Sequence, residues 1–325
     1  MKRHFLTIIF VLLSALAQAG VPQWVRSVVQ WVDSSNVSGC DTSYVRQPQM
    51  GFTVYLNSYF SGNRTIVNLE PKGTTIGLPE IAGTLSTRPA TLMSVGLDYR
   101  GWGISYSHDF KRYGDTDFTY TFNGRRYGLE YRYHNSYTLH GDLDLEDRIL
   151  PIEERQGRMR TTIVNAFYVF DSKRFSHPAA TIHTTIQRRS AGSWLASLNY
   201  WHGSYRSYSN EVPSEFGHIS LSHFNLGAGY AYNYVFAHEH CLLHSSLTPM
   251  VTVWHRNRFY YDYNDMALSQ YLAFDLMAHL HFVYNHGRYL TGIQSIVNYS
   301  ASPRVGEFSI NTFDWINRIF VGVRF

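Results

Sequence analysis

The feature that most constrains this sequence is an alternation of side-chain character with a period of two, from about Met50 to Phe325. In segment 223–236, alternate positions are apolar or aromatic and the intervening positions are small or polar. Because successive side chains of a strand point to opposite faces, such a segment has one face suited to lipid. That face consists of Phe224, Leu226, Ala228, Tyr230, Tyr232, Tyr234 and Phe236.

The length of these segments points to membrane-spanning strands. A transmembrane strand needs about 9–11 residues, whereas strands of globular proteins average about 5–6 residues. The sequence therefore predicts an all-β fold, a transmembrane antiparallel β-barrel of about 12 strands, within a range of about 10–14. The segments are 50–60, 91–99, 102–110, 126–138, 161–171, 181–188, 193–205, 223–236, 242–255, 270–284, 288–299 and 315–325, with weaker ones at 64–70 and 116–123.

Composition excludes two other classes of protein. Charged residues make up 16% of the chain, below the roughly 25% of typical soluble domains. Beyond the first twenty residues no apolar run reaches the roughly 18 residues of a transmembrane helix, so a helical membrane protein is excluded. A hydrophobic fraction of 44% also argues against intrinsic disorder.

The faces opposite the apolar ones carry charges of both signs, and we expect them to line the barrel interior. In 271–284, for example, Asp275, His279 and His281 alternate with apolar residues. Charges inside a barrel must pair or stay hydrated. The expected polar network of the lumen comprises Asp98, Arg100, Glu130, Arg132, Asp275, His279, His281 and Arg324.

Connections between the expected strands alternate in length over the C-terminal half. The tracts 189–192, 237–240 and 285–287 are short, whereas 206–222, 256–269 and 300–314 are long and rich in Tyr, Ser, Asn and Asp. In outer-membrane barrels the short turns face the periplasm and the long loops face outward. We expect external loops in the long tracts, including the Tyr-rich stretch 259–263.

The first 49 residues differ from the rest. Lys2 and Arg3 precede an apolar stretch, and Ala17-Gln18-Ala19 fits a cleavage site, so residues 1–19 are interpreted as a signal peptide. Residues 20–49 are interpreted as a periplasmic segment with a short amphipathic helix, and residues 50–325 as the barrel. The apolar residues at near-helical spacing are Trp24, Val25, Val28, Val29, Trp31 and Val32.

The chain ends on an aromatic residue that shares the apolar face of the last segment. Ile319, Val321 and Val323 precede Phe325 on that face. A terminal Phe in this phase resembles the outer-membrane assembly signal, which implies the barrel assembly machinery as a partner. We expect outer-membrane lipid as the other partner, a monomer in the cell outer membrane, and no cofactor. Nucleic acid is not expected, because the basic residues do not cluster with aromatic ones.

Three segments resemble a known family. They are Tyr168-Val169-Phe170-Asp171-Ser172-Lys173-Arg174-Phe175-Ser176, Gln187-Arg188-Arg189-Ser190-Ala191-Gly192-Ser193, and Asp41-Thr42-Ser43-Tyr44-Val45. They are similar to a domain-of-unknown-function family of predicted Gram-negative outer-membrane β-barrel proteins, which has Asn where Asp171 stands. The resemblance implies fold and location, and it carries no activity.

Two groups of residues are weak candidates for chemistry. Among four His-x-Ser pairs, His202 and Ser204 lie in phase with an expected lipid-facing side, where a serine nucleophile and a histidine base could reach lipid esters. A chain with 16 His and abundant Ser contains such pairs by chance. The cluster His238, Glu239, His240, Cys241 and His244 offers metal-ligand types, but a polar turn explains it equally well, so no metal site is expected. Cys40 and Cys241 show no spacing that would indicate a disulfide.

The sequence thus leaves three functions open. The first is a structural barrel, or one that binds a ligand or partner through its external loops. The second is a channel for a small solute or lipid, since barrels of about twelve strands lie between filled barrels and open pores. The third is a lipid hydrolase using His202 and Ser204. We take the first as the leading interpretation, with an enzyme less favoured.

Overall fold

The computed structural model describes residues 27, 39–48, 51–70, 80–110, 114–145, 148–208, 218–261, 264–268, 273–302 and 308–325. Over these residues the fold is all-β, with a short two-stranded sheet and one large antiparallel sheet. No helix in these ranges is long and apolar enough to cross a membrane. The expected signal peptide and the helix expected in 20–49 fall outside the described residues, apart from Ser27.

The strands and a short helix of the described residues follow in chain order. They are β1 (Val45–Arg46), β2 (Phe52–Leu69), β3 (Ile81–Thr87), β4 (Ala90–Tyr99), β5 (Trp102–His108), β6 (Thr116–Asn123), β7 (Tyr127–Leu145), β8 (Arg148–Val169), α1 (Pro178–Thr181), β9 (Ile186–Gln187), β10 (Ala191–Ser207), β11 (His218–Phe236), β12 (Cys241–Tyr261), β13 (Asn264–Leu268), β14 (Phe274–His286), β15 (Tyr289–Ala301) and β16 (Phe308–Arg324).

Strand pairing runs in a ring. The order is β2-β4-β5-β6-β7-β8-β10-β11-β12-β14-β15-β16, and β16 pairs again with β2. All of these pairs are antiparallel, and the last is completed by a backbone hydrogen bond of 2.8 Å from Phe325 N–H to Phe52 O. The ring of twelve strands agrees with the strand number expected from the sequence.

The two ends of the ring differ. One end, here called the turn end, holds the turns at 100–101, 124–126, 237–240 and 287–288 and the end of β16. The other, here called the extended end, is where β2, β7, β8, β11 and β12 continue for 18 to 22 residues in total. These strands are about twice as long as a membrane crossing needs.

The barrel wall is shorter at the β5–β6 hairpin than at the neighbouring strands. β5 has 7 residues and β6 has 8. Beyond the tip of this hairpin, β3 pairs directly with β7, from Ile81 opposite Leu145 to Thr87 opposite Leu139. β3 also continues the edge of β4 along β2. The wall therefore has fewer strands at the extended end than at the turn end.

The outward face has an apolar band at the turn end and becomes polar beyond it. On β10, Trp194 and Leu198 are exposed to the outside, and Arg206 farther along the same face is exposed too. On β11 the outward face changes from apolar to polar between Phe224 and Ser222. The exposed apolar side chains of this band include Leu56, Val95, Ile104, Leu129, Leu226, Leu247, Leu280, Ile293 and Ile319.

The inward face changes in the opposite sense. Toward the turn end it carries polar residues together with the apolar residues that contact the plug. At the extended end, buried apolar side chains from seven strands pack into one cluster, here called the extension core. Burial of apolar area of this kind is a main source of folding free energy. The extension core consists of Val67, Leu69, Ile81, Leu85, Leu139, Leu143, Ile152, Met159, Tyr205, Ile219, Leu221 and Ile310.

One expectation about the strands was wrong, because segment 181–188 is not a wall strand. Segment 116–123, a weaker candidate, is confirmed as β6. The wall therefore still has twelve strands. Most of the described residues in the tracts expected as long loops belong to strands, because inward apolar residues such as Ile219 and Leu221 keep the alternation going beyond the apolar band.

The connection between β8 and β10 folds into the turn end of the barrel and is here called the plug (residues 170–190). Its helix α1 has buried Pro178, Ala179 and Ala180. Phe175 is fully buried against Val169, Leu195 and Ala231. An apolar cluster with Leu242, Leu290 and Phe320 holds α1 against the wall.

Candidate functional site

The barrel interior is the part of the molecule where polar and charged side chains converge. Asp98, Glu130, Arg132, Asp275, His279, His281 and Arg324 occupy inward positions of their strands. Arg100 does not belong with them. It lies exposed at the turn between β4 and β5 with a φ of 45°, so the alternation that placed it inside ends at Tyr99.

One buried ion pair lies on the inward face. Arg132 Nε donates to Asp117 Oδ2 at 2.7 Å, and His134 Nδ1 lies 3.4 Å from the same oxygen. Asp117 is 1% exposed. Asp117 was not among the expected lumen residues, because β6 was only a weaker candidate strand. The Asn123-Gly124 pair predicts a two-residue hairpin turn, which would place Asp117 opposite Glu130. The observed turn is longer, with Asn123 paired to Gly128, and it places Asp117 opposite His134.

Polar groups of the wall bind backbone carbonyls of the plug. His281 Nδ1 lies 3.1 Å from Ala180 O, and Gln294 Nε2 donates to the same oxygen at 3.1 Å. Arg324 Nη2 donates to His183 O at 3.2 Å and to Asn285 Oδ1 at 2.7 Å. Three residues on three strands thus satisfy carbonyl groups that a buried loop would otherwise leave without partners.

Gln187 fixes the second end of the plug. Its Nε2 donates to Arg174 O at 2.6 Å, to Arg189 O at 2.9 Å and to Tyr44 O at 3.3 Å. Its Oε1 accepts from Ser176 N at 2.9 Å and from Asn233 Nδ2 at 3.1 Å. With 2% of its surface exposed, this one amide joins both ends of the plug, the N-terminal segment and β11.

The three segments that resemble the known family meet at this point. Val45 pairs with Gln187 in the β1–β9 sheet, and the guanidinium groups of Arg174 and Arg189 lie 5.5 and 5.8 Å from the centre of the Tyr44 ring. Arg188 Nε donates to Glu239 Oε1 at 3.0 Å. The segments therefore hold the plug to the turn end of the barrel.

Two plug histidines are kept neutral. Burial and, to a smaller extent, the neighbouring His279 lower the pKa of His177 to about 3. Burial and, to a smaller extent, the Arg324 guanidinium lower the pKa of His183 to about 3. Both side chains are less than 6% exposed, so each is an uncharged imidazole at neutral pH.

Three histidines from separate elements converge between the plug and the wall. One ring nitrogen each of His177, His244 and His279 lies within 4.8 Å of the others. His177 precedes α1, His244 is on β12 and His279 is on β14. From the sequence, His244 was grouped with 238–241 as possible metal ligands, whereas His279 was expected in the lumen. The structure separates these groups, because Glu239 at the turn pairs instead with Arg188 and Arg46.

The two residues of the weak candidate pair for hydrolysis, His202 and Ser204, do not form a hydrogen bond with each other in the structure. His202 and Ser204 face outward on β10, beyond the apolar band. His202 Nδ1 lies 2.9 Å from Ser222 Oγ, and Ser204 Oγ lies 2.9 Å from His218 Nε2. Each residue thus bonds to the neighbouring strand β11, because directly opposed and diagonal side chains of paired strands are closer than positions i and i+2 of one strand.

The cysteines and the C-terminus are also placed. Cys40 and Cys241 are free thiols, and the Cys40 thiol lies 3.8 Å from Ser172 O. Phe325 points outward with 66% of its surface exposed.

A cavity lies in the barrel interior beside the plug. It is lined by Glu130, Asn165, His177, His279, Gln294 and Arg318, among other residues, and has a volume of about 60 Å³. A space of this size has room for a few water molecules only.

Comparison with known proteins gives a family and a set of similar folds. A family described as a domain of unknown function (DUF4421) matches residues 40–325. No curated protein matches the sequence. The chain is similar to the translocator domain of the autotransporter NalP from Neisseria meningitidis, with 11% identity, a TM-score of 0.41 and coverage of 85% of this chain and 88% of that one.

Two further solved structures are similar at the same level. The outer membrane protease OmpT from Escherichia coli has 8% identity and a TM-score of 0.42, with 86% of this chain and 97% of that chain covered. An outer membrane channel from Pseudomonas putida F1 has 12% identity and a TM-score of 0.33, with 86% and 98% covered. At such identities the similarity concerns the fold alone.

Proposed function

The chain belongs to the family described as a domain of unknown function (DUF4421), and we propose that it is a closed outer-membrane β-barrel that presents its extended end outside the cell. The observation that carries this proposal is that protein side chains and backbone fill the barrel interior at both of its ends. The plug fills the turn end, and the extension core fills the other.

This double filling argues against a permanently open channel. An ion or solute would have to pass the buried α1 and then the apolar extension core, with its buried Leu85 and Leu139. The cavity between them holds about 60 Å³. Barrels with permanent aqueous channels have about 16–18 strands, and this ring has twelve.

The proposed orientation is supported by the distribution of turns and side chains. Outer-membrane barrels have short periplasmic turns and longer external parts, with aromatic residues at both interfaces of the lipid band. Here Tyr127, Trp194 and Phe325 are exposed at the turn end, and Trp254 and Phe313 are exposed on the far side of the band. The turn end would then face the periplasm and the extended end the exterior.

The extended end is the surface proposed to bind a ligand or partner. Its walls are paired strands around an apolar core, and binding residues are often carried on such a scaffold. Outward arginines on three strands, Arg160, Arg206 and Arg256, are exposed just beyond the band, which favours a partner with negative charge. We propose further that the protein acts as a monomer and that its last strand is read by the barrel assembly machinery.

Labelling of single cysteines tests the orientation. In a variant with both native cysteines replaced by Ser, Arg206→Cys places a thiol at the extended end and Arg126→Cys places one at the turn end. A membrane-impermeant maleimide added to intact cells should label Cys at 206 and leave Cys at 126 unlabelled until the cells are lysed. Labelling of position 126 alone in intact cells would show that the orientation is the opposite of the proposed one. Recovery of the protein outside the outer-membrane fraction would refute the proposed localisation.

Conductance in planar lipid bilayers tests whether the barrel is closed. The wild-type protein should give no current steps. A variant in which residues 172–186 are replaced by a short Gly-Ser linker should also give none, because the extension core remains. Regular steps from the wild-type protein would refute the closed barrel and favour a channel for small solutes.

A further inference from the structure

We propose that His177, His244 and His279 form a binding site for a transition-metal ion that links the plug to the barrel wall. One ring nitrogen of each histidine lies within 4.8 Å of those of the other two. His244 is 0% exposed and His177 is 5% exposed. The three residues come from the plug, β12 and β14, so their convergence is a property of the folded molecule.

The hydrogen bonds around His244 fix which of its nitrogens can bind a metal. Asn233 Nδ2 donates to Ser176 O at 2.8 Å and to Gln187 Oε1 at 3.1 Å, which orients the amide. Its Oδ1 therefore faces His244 Nδ1, at 2.7 Å. An amide oxygen only accepts, so Nδ1 of His244 carries the proton and Nε2 carries a lone pair. Metal-binding histidines show this same arrangement of outer partners.

The other two histidines also have buried nitrogens without partners. Among the described residues, no group hydrogen-bonds to His177 Nδ1, His279 Nδ1 or His244 Nε2. A buried polar atom without a partner is costly, and each of the three histidines that converge has one. A cation bound by the three imidazoles would account for the convergence of these residues.

The residue types indicate the class of metal. Neutral imidazoles suit Zn²⁺, Cu²⁺, Ni²⁺ and Co²⁺, whereas Mg²⁺ and Ca²⁺ prefer oxygen ligands. In a tetrahedral site with metal–nitrogen distances of about 2.0–2.1 Å, neighbouring nitrogens are about 3.4 Å apart. His177 belongs to the plug and not to the paired strands, so a small shift of the plug can complete the site.

The site leaves room for a fourth ligand. His177 and His279 both line the cavity beside the plug, together with Ser246 and His281. His281 Nδ1 lies 3.1 Å from Ala180 O, and its Nε2 has no partner among the described residues. The fourth position can therefore be taken by water or by His281. In either case the ion joins plug and wall and should make the plug harder to displace.

Metal binding by the purified, folded protein in detergent tests this proposal. After chelation and buffer exchange, the wild-type protein is titrated with Co²⁺, whose visible absorption reports ligand number, and Zn²⁺ is quantified after dialysis. We expect one ion per chain and a Co²⁺ spectrum of four- or five-coordinate nitrogen ligation. His177→Ala should weaken binding more than about 100-fold, and Asn233→Ala, which removes the partner of His244, about 10–100-fold.

Two controls make the result decisive. His286→Ala removes an exposed histidine at the β14–β15 turn and should bind as the wild type does. Each variant is checked for the heat-dependent gel mobility of a folded barrel, and His177 lies outside the wall, so its variant decides if the strand variants fail to fold. Absence of binding by the wild-type protein, or binding unchanged in His177→Ala, would overturn the proposal.

Discussion

Asn233 on β11 donates a hydrogen bond of 3.1 Å to Oε1 of Gln187 in the plug. Both side chains are almost fully buried. Asn233 also contacts His244, and Gln187 binds the carbonyl groups of Tyr44, Arg174 and Arg189. This contact therefore connects the N-terminal segment, the plug and the histidine cluster.

Replacing Gln187 should release the plug without unfolding the barrel. Gln187→Ala leaves Asn233 Nδ2, Ser176 N and three carbonyl groups short of one partner each, and a buried unsatisfied group costs about 1–3 kcal/mol. We expect the plug to open more readily by about 2–4 kcal/mol. Hydrogen exchange of 170–190, followed by mass spectrometry, measures the change.

The matched control is Gln156→Ala in β8, where the side-chain oxygen accepts a hydrogen bond of 3.3 Å from the exposed backbone amide of Glu153. It should leave exchange in the plug unchanged. If Gln187→Ala exchanges at the wild-type rate, the amide does not hold the plug.

Acid should loosen the plug through His183. The pKa of His183 is lowered to about 3 in the docked plug, from an ordinary value of 6.5. The released plug therefore binds a proton at a higher pH than the docked plug does. The contribution of His183 to docking is largest above about pH 6.5 and decreases by about 1.4 kcal/mol per pH unit as the pH falls toward 3.

The same exchange measurement from pH 7 to pH 4, corrected for intrinsic exchange rates, reports this effect. His183→Asn is the suitable variant, because His183 has a φ of 56° and Asn tolerates that conformation. In this variant the free energy of plug docking should change with pH by about 1.4 kcal/mol per pH unit less than in the wild-type protein. Equal slopes in both proteins would exclude His183 as the titrating group.

The barrel strands could be predicted because their signal is local. The alternation in 223–236 assigned an outward face that is exposed in the structure from Leu226 to Phe236, since strand geometry ties each side chain to the face of its neighbour two positions away. The length of the extended strands was missed, although the apolar Ile219 and Leu221 continue the pattern in opposite phase to the lipid-facing residues.

The plug and the histidine cluster could not be predicted in this way. Segment 181–188 contains alternating residues, but its course depends on hydrogen bonds with β14, β15 and β16. His177, His244 and His279 come together only through that course. The periodicity of neighbouring residues does not predict which distant residues come into contact. A single histidine in a chain with 16 of them also gives no indication of a binding site.

The buried ion pair between Asp117 and Arg132 should show a characteristic non-additivity. Asp117→Asn leaves the Arg132 charge buried without its partner, which costs about 3–5 kcal/mol. Replacing both groups, as in Asp117→Asn with Arg132→Gln, should cost less than the single change. Unfolding by urea in detergent, followed by tryptophan fluorescence, measures both. A double variant that is less stable than the single one would contradict this.

Phe325 should matter for assembly and little for the finished barrel. It is exposed on the lipid face at the end of β16, so a folded barrel loses few internal contacts in Phe325→Ala. We expect a lower level in the outer membrane and an unchanged unfolding midpoint. Phe313→Ala, an exposed phenylalanine on the same strand, is the control and should assemble normally. Equal outer-membrane levels of Phe325→Ala and Phe313→Ala would show that Phe325 has no specific role in assembly.

The extension core should contribute strongly to stability. Leu139 is 1% exposed in that cluster, whereas Leu198 is 45% exposed on the lipid face. Leu139→Ala should cost about 2–5 kcal/mol because it leaves a cavity. Leu198→Ala should cost less than about 1 kcal/mol, since detergent or lipid fills the space left by the side chain. Urea unfolding compares the two variants directly. Similar small decreases in the free energy of unfolding for both variants would mean that the extended end is loosely packed. The extension core could then not be one of the two elements that close the barrel.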